Sequence, residues 1–180
     1  MNSVDCIKTR RSIRNYKEEQ IPQEVIREVV DLARFAPSWK NTQIARYYVV
    51  QSAELKKKIA EECMMGFSFN TNTLTKAPAL VVVAYMEKRS GYERDGSFTT
   101  SKEDRWEMFD AGIATQTFCL AAAEQGLGTC IMGIFDEAKI AEAINLPEGQ
   151  KVGAVLAIGY PAEEPAAPAR KEADQLVQFL

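Results

Sequence analysis

The chain has 180 residues, 46% of them hydrophobic and 26% charged, enough for one domain with a substantial core. Its 22 Lys plus Arg against 25 Asp plus Glu leave a net charge of −3, which excludes a general attraction to nucleic acid or to anionic membranes. Histidine is absent, so a Ser-His-Asp or Cys-His catalytic unit and an imidazole-ligated metal are excluded as well.

No apolar run approaches the roughly 20 residues that a membrane helix requires. The opening Met1-Asn2-Ser3-Val4-Asp5 lacks the apolar core of a signal peptide. Cys6, Cys63, Cys119 and Cys130 show neither C-x-x-C spacing nor a paired pattern, and read as reduced core residues. A cytoplasmic address is expected.

In chain order, Asp5 to about Arg10 suits a short helix that leads into a basic stretch. From Cys6 to Lys17 the chain holds Lys8, Arg10, Arg11, Arg14 and Lys17 and no acidic residue. Guanidinium forks with the Ser12 hydroxyl between them suit a phosphate monoester. If this segment is extended, Arg10, Ser12 and Arg14 point to one side. The alternative is a solvated basic helix face.

Pro22 opens an amphipathic helix with Ile26, Val29, Val30 and Ala33 on one stripe, and the helix stops at Ala36-Pro37-Ser38. Tyr47 to Val50 is a strand. Ala53 to Met65 is a helix whose Lys56-Lys57-Lys58 run is a wet face. Ala79 to Tyr85 is apolar on both faces, as a central buried strand would be. Residues 87–105 are polar and rich in charge, Gly, Ser and Thr; such a segment is expected to be a mobile loop and a candidate lid.

Arg105 or Trp106 to about Glu124 is a long buried helix, with Phe109, Ile113, Thr117, Leu120 and Ala121 expected on its inner stripe and Gly126-Leu127-Gly128 ending it. Thr129 to Met132 and Val152 to Ile158 are strands, with a helix from Asp136 to Ala143 between them. The tail, residues 160–180, is rich in Pro and Ala and closes with Leu176-Val177-Gln178-Phe179-Leu180. It is expected to cross the surface and dock, with a partner subunit as one possible host. No internal repeat or linker divides the chain, so residues 1–180 form a single domain.

A second segment extends the pattern. Ala36-Pro37-Ser38-Trp39-Lys40-Asn41-Thr42-Gln43 offers amide donors and acceptors that suit the edge of a flat heteroaromatic ring. Together with Arg10-Arg11-Ser12-Ile13-Arg14 it resembles the nitroreductase family of FMN-dependent flavoproteins, which carries R-R-S-x-R near its start and A-P-S-x-x-N-x-Q after its first long helix. The similarity continues through Asn70 ahead of the central strand, the long helix from Asp110 to Gly128, Ile131-Met132-Gly133, and Gly159-Tyr160-Pro161 followed by Arg170-Lys171. It covers nearly the whole chain in order. Each motif is weak by itself, and the specificity lies in their succession.

The resemblance implies an α+β, three-layer fold. A central mixed or antiparallel sheet is flanked by helices, and the C-terminal arm docks on the partner of a homodimer. It implies one FMN at each of two interface sites. Arg10, Arg11 and Ser12, with Arg170 or Lys171, would hold the phosphate, and Arg14 would lie toward the N1/C2 carbonyl edge. Pro37, Ser38, Trp39, Asn41 and Gln43 would reach the cofactor from the other subunit. Asn70 would bond the pyrimidine edge, and the backbone at Ile131, Met132 and Gly133 would face N5. NAD(P)H would be the donor and small organic acceptors such as nitroaromatics and quinones would follow it, in ping-pong order and with no catalytic side chain required.

The chain departs from the family pattern in three places. Ile44 follows Gln43 where proline is usual, Trp39 replaces a small residue, and the chain is short, which leaves the natural acceptor open. Two alternatives are weighed on the same fold. One is a halotyrosine reductive dehalogenase, for which Tyr92, Glu93 and Lys102 supply the residue types; the other is a non-enzymatic FMN binder or sensor.

Overall fold

The computed structural model describes residues 2–180. Four strands form one sheet: β1 (Ala45–Val50), β2 (Ala79–Met86), β3 (Gly128–Met132) and β4 (Gln150–Gly159). Their order is β1-β2-β4-β3 and every pairing is antiparallel. Among the described residues, six α-helices surround the sheet: α1 (Ser3–Thr9), α2 (Gln23–Ala33), α3 (Ala53–Glu62), α4 (Ser68–Lys76), α5 (Arg105–Glu124) and α6 (Glu137–Ala143).

The central strand explains the layering. Successive side chains of β2 point to opposite faces, and each face meets its own helices. Val81 and Val83 pack with Val29 of α2 and Phe118 and Ala122 of α5. Leu80 and Val82 pack with Ile59 of α3, Leu74 of α4 and Ile140 of α6. This is the three-layer α+β architecture implied by the motifs, with β2 buried on both sides.

The basic segment is extended. α1 ends at Thr9, and Arg10 has already left helical geometry at φ −53 and ψ 132. Ser12 bridges Thr129 in the parallel sense, and Ile13 N–H donates to Thr129 O at 3.0 Å. The segment therefore lies as a rib along β3, which makes the edge of the sheet mixed. The helix-face alternative is ruled out.

Other expectations need correction. α3 stops at Glu62 instead of Met65, because Met65 and Gly66 turn left-handed at φ 51 and 71. α4 has no counterpart in the sequence reading. Its Asn- and Thr-rich segment has weak helical preference, and only Thr73 and Leu74 are buried along it. The inner face of α5 is also turned from the expected stripe. Phe109 is 56% exposed, whereas Asp110, Ala111, Ala114, Thr115, Phe118, Cys119 and Ala122 are buried. Ile113, Thr117 and Leu120 lie at the boundary, and only Ala121 of the expected set is buried. Small residues let this helix approach the sheet closely, and a helix apolar around most of its circumference gives little phase to read.

Candidate functional site

The rib is fixed from three sides. Ile13 is buried over Gly128, and the Tyr16 hydroxyl donates to Ile13 O at 2.5 Å. The start of the tail runs alongside: Lys17 N–H donates to Tyr160 O, and Ala162 N–H to Asn15 O. Glu163 then caps the rib, its carboxylate accepting from Arg14 N–H at 2.8 Å, Asn15 N–H at 3.1 Å and Asn15 Nδ2 at 2.5 Å. The Arg14 amide, followed by the Asn15 side chain, holds the Glu163 carboxyl below its ordinary pKa.

Beyond Glu163 the tail folds over the rib. Arg10, Arg11, Ser12, Arg14 and Arg170 line one cavity of 330 Å³, closed by Pro165, Ala166 and Pro168. No acidic side chain is among these lining residues. Several guanidinium groups are braced on nearby carbonyls: Arg11 Nη1 on Lys8 O at 2.7 Å, Arg14 Nη1 on Ser12 O at 3.4 Å, and Arg170 Nη1 on Pro168 O at 3.2 Å. Four cations and a hydroxyl around one small cavity form a donor set that matches a dianionic phosphate. Lys171 is exposed and does not line the cavity.

β3 carries the next group. Ile131 is 48% exposed at the strand's end, Met132 is buried, and the space around Gly133 is open. Asn70, in the first turn of α4, donates from Nδ2 to Ile134 O at 3.0 Å. It therefore stands against the backbone that follows β3. Arg10 to Arg14, Arg170, Ile131 to Gly133 and Asn70 thus gather at one edge of the sheet.

The remaining sequence-predicted residues gather elsewhere. Pro37, Ser38 and Gln43 line a second cavity, also of 330 Å³, beside Ile44, Tyr47 and Asp110. It precedes β1, the opposite edge strand, and shares no lining residue with the arginine cavity. Trp39 N–H donates to Asp110 Oδ2 at 2.8 Å, and its indole lies 4.9 Å from that of Trp106. Its buried Nε1 has no hydrogen-bond partner among the described residues. Lys40, Asn41 and Gln43 all take positive φ, at 43, 57 and 49.

The loop of residues 87–105 has more internal order than its composition suggests. Ser90 is fully buried and donates to Asp110 Oδ2 at 2.6 Å. Tyr92 packs against Phe98 with the rings tilted, Glu93 accepts from Lys40 at 2.9 Å and from Thr99, and Lys102 lies over the Trp106 ring. These three side chains are each engaged with different partners. Burial raises the pKa of Glu107, whose carboxylate accepts from Arg89 N–H at 3.3 Å. Burial also raises all four cysteine thiols, none of which is paired, so they are not poised as nucleophiles.

Sequence reasoning did not pick out Asp110, Ser90 or Glu163. A carboxylate within the apolar run of α5 was the one available signal, since a buried charge in such a helix needs partners. Neither Ser90 nor Glu163 stands out from its polar surroundings.

The nitroreductase family model matches residues 7–79 and 68–160. The chain belongs to the nitroreductase family. A relative from Archaeoglobus fulgidus is 33% identical over 167 residues, covering 89% of this chain and 87% of its own, and carries a provisional NADH dehydrogenase/NAD(P)H nitroreductase name. An iodotyrosine deiodinase from Thermotoga neapolitana is 26% identical over 177 residues, covering 87% of each chain. A provisionally named nitroreductase from Exiguobacterium sibiricum, solved in complex with FMN, superposes with a TM-score of 0.86 over 100% of this chain and 98% of that one. At 21% identity that last likeness is one of fold. No helix among the described residues is long and apolar enough to cross a membrane.

Proposed function

We propose that this nitroreductase-family protein is an FMN-dependent oxidoreductase that acts as a homodimer, taking electrons from NAD(P)H and reducing small organic acceptors such as nitroaromatics and quinones. The observation that carries the reading is the convergence of Arg10, Arg11, Ser12, Arg14 and Arg170 on one cavity at the edge of β3. Such a set fits the phosphate of FMN better than it fits any neutral ligand. FMN held there by these residues would supply the redox chemistry, hydride transfer from the nicotinamide and electron transfer to the acceptor.

The chain's own residues bind, orient and exclude water. Arg10, Arg11, Ser12 and Arg170 neutralise the phosphate, and Glu163 keeps the rib aligned by holding the Arg14 and Asn15 amides. Arg14 lines the same cavity and would extend the cationic edge along the cofactor. The open backbone at Gly133 admits a flat ring against β3, with Asn70 beside it. Pro37, Ser38, Trp39, Asn41 and Gln43 would close the site from a second copy, since their turn leads into β1, the far edge strand. Four buried, unpaired thiols suit a reducing compartment and support a cytoplasmic address.

The test is an anaerobic titration of the purified protein with NADH and with NADPH, followed by its visible spectrum. Flavin absorbance that bleaches and returns on adding a nitroaromatic or quinone is the expected result. Bound flavin that resists both donors would favour a sensor or a dehalogenase instead. Failure to bind added FMN would end the reading altogether.

A further inference from the structure

The turn before β1 is strained, and its long-range polar contacts converge from one stretch of chain. Lys40, Asn41 and Gln43 occupy the left-handed region, which side chains with a Cβ adopt at a cost. Local bonds brace it in part: Ser38 Oγ accepts from Gln43 N–H, Asn41 N–H donates to Ser38 O, Thr42 N–H to Trp39 O, and Arg46 Nη1 to Gln43 O. The distant partners lie between residues 90 and 110. Asp110 accepts from Trp39 N–H at 2.8 Å, and Ser90 Oγ bridges between Asp110 at 2.6 Å and Thr42 Oγ1 at 2.8 Å. Glu93 pairs with Lys40 at 2.9 Å. Trp106 packs against Trp39 with the rings tilted, while its own Nε1 donates to Thr100 Oγ1 at 3.0 Å.

Burial gives this network its weight. Ser90 is 0% exposed and Asp110 4%, so a lost partner there is not replaced by water. The same two groups anchor the base of the 87–105 loop, helped one turn earlier by Glu107 on the Arg89 amide. Strain that persists because its surroundings over-determine it is a mark of a working element.

We propose that Ser90 and Asp110 are positioning residues for the 38–43 turn, so that this turn and the 87–104 loop order and loosen as one unit. Its functional consequence rests on the reading of the turn as a flavin contact. A loop that lifts to admit an acceptor then also releases Trp39 and Asn41, linking access to the grip on the cofactor. The coupling itself is a property of the chain, with or without flavin.

Hydrogen exchange on the full-length protein, with and without FMN, tests it with Ser90→Ala, Thr42→Ala and Thr42→Ser. Ser90→Ala is expected to speed exchange about tenfold in both 38–43 and 87–93 while β2 and β4 stay protected, the loss expected of one buried bond to a charged group. Thr42→Ala, made in the turn, is expected to loosen the loop across from it, and Thr42→Ser to restore the wild-type pattern. Loosening confined to the substituted segment would overturn the proposal. Should Ser90→Ala loosen the core as a whole, the Thr42 pair decides by the same criterion. In flavin-loaded protein, Ser90→Ala should also weaken FMN binding several-fold; a protein that binds no FMN defeats the functional reading and leaves the exchange result to judge the coupling.

Discussion

Gly128→Ala is the sharpest probe of how the fold positions the arginine rib. A Cβ at Gly128 would lie 2.5 Å from Ile13 Cγ1 and 2.8 Å from Ile13 Cβ, where ordinary contact starts at 3.4 Å. Ile13 Cβ is one bond from the backbone, so no rotamer change relieves the clash. The rib itself must retreat by about 0.6 Å, from 2.8 to 3.4 Å at Cβ, which strains the Ile13–Thr129 bond and shifts Arg10 to Arg14 away from the cavity. Overpacking of this kind costs about 1–3 kcal/mol. For a domain of this size that lowers Tm by roughly 3–10 °C. If the shift breaks one charge-assisted bond to the phosphate, FMN affinity falls about ten- to a hundredfold. Differential scanning fluorimetry without added flavin reads the first effect, and a fluorescence titration of apo-protein with FMN reads the second. Gly153→Ala is the control: it lies in the same sheet, and its nearest new contact is a milder 3.3 Å. Wild-type Tm and affinity in Gly128→Ala would refute the packing argument. A lower Tm with unchanged affinity would refute the phosphate assignment.

Three further outcomes are expected. Arg170→Ala should weaken FMN binding by about tenfold or more, whereas Lys171→Ala should change it little, because only Arg170 lines the cavity; equal losses in an FMN titration would count against the cavity. The Glu163 carboxyl is held below its ordinary value of 4.5, so its stabilising effect is present above that value and is lost as pH falls through its lower folded pKa. Glu163→Gln should flatten the acid side of the Tm-against-pH curve below about pH 4.5, and curves that run parallel would remove Glu163 from the account. Truncation after Pro161 deletes both Glu163 and Arg170, and should yield protein that fails to retain FMN or to dimerise; a stable, flavin-loaded dimer by size-exclusion chromatography would refute the docking arm.

Local chemistry made most of the fold legible. The apolar run of β2 could only be a strand buried on both faces, and Pro22 and Pro37 bracketed α2 through their backbone restrictions. The rib was legible as a charge anomaly, because five basic residues without an acid in an acidic chain call for a reason, and an anion was one of the two readings left open. α4 was not legible, since its helix rests on packing against α3 and not on the preferences of Asn and Thr. The phase of α5 failed for a related reason: Phe109 and Ile113 are the larger side chains, yet the sheet takes the side with Ala111 and Ala114, where backbones can approach closely. Asp110 and Ser90 were hidden for a third reason. Their roles come from contacts across 20 to 71 residues of chain, and no local pattern encodes those.

The proposed division of the site between two sheet edges leads to a test that an ordinary single mutant cannot provide. β1 and β3 are separated by three strand spacings, about 14 Å, so the 38–43 turn and the rib of one chain do not face a common ligand across the sheet. In the proposed homodimer, each cofactor meets the rib of one chain and the turn of the other. Take one chain bearing Arg10→Ala, and another bearing Asn41→Gly, a substitution that tolerates the positive φ while removing the amide. Each homodimer has two impaired sites. A heterodimer purified through two different tags collects both defects in one site and leaves the other with a wild-type rib and a wild-type turn. It should therefore bind about one FMN per dimer with wild-type affinity, by the same mass-action logic that governs any independent site. If each site were instead built within a single chain, both heterodimer sites would carry a defect, and no tight site would return.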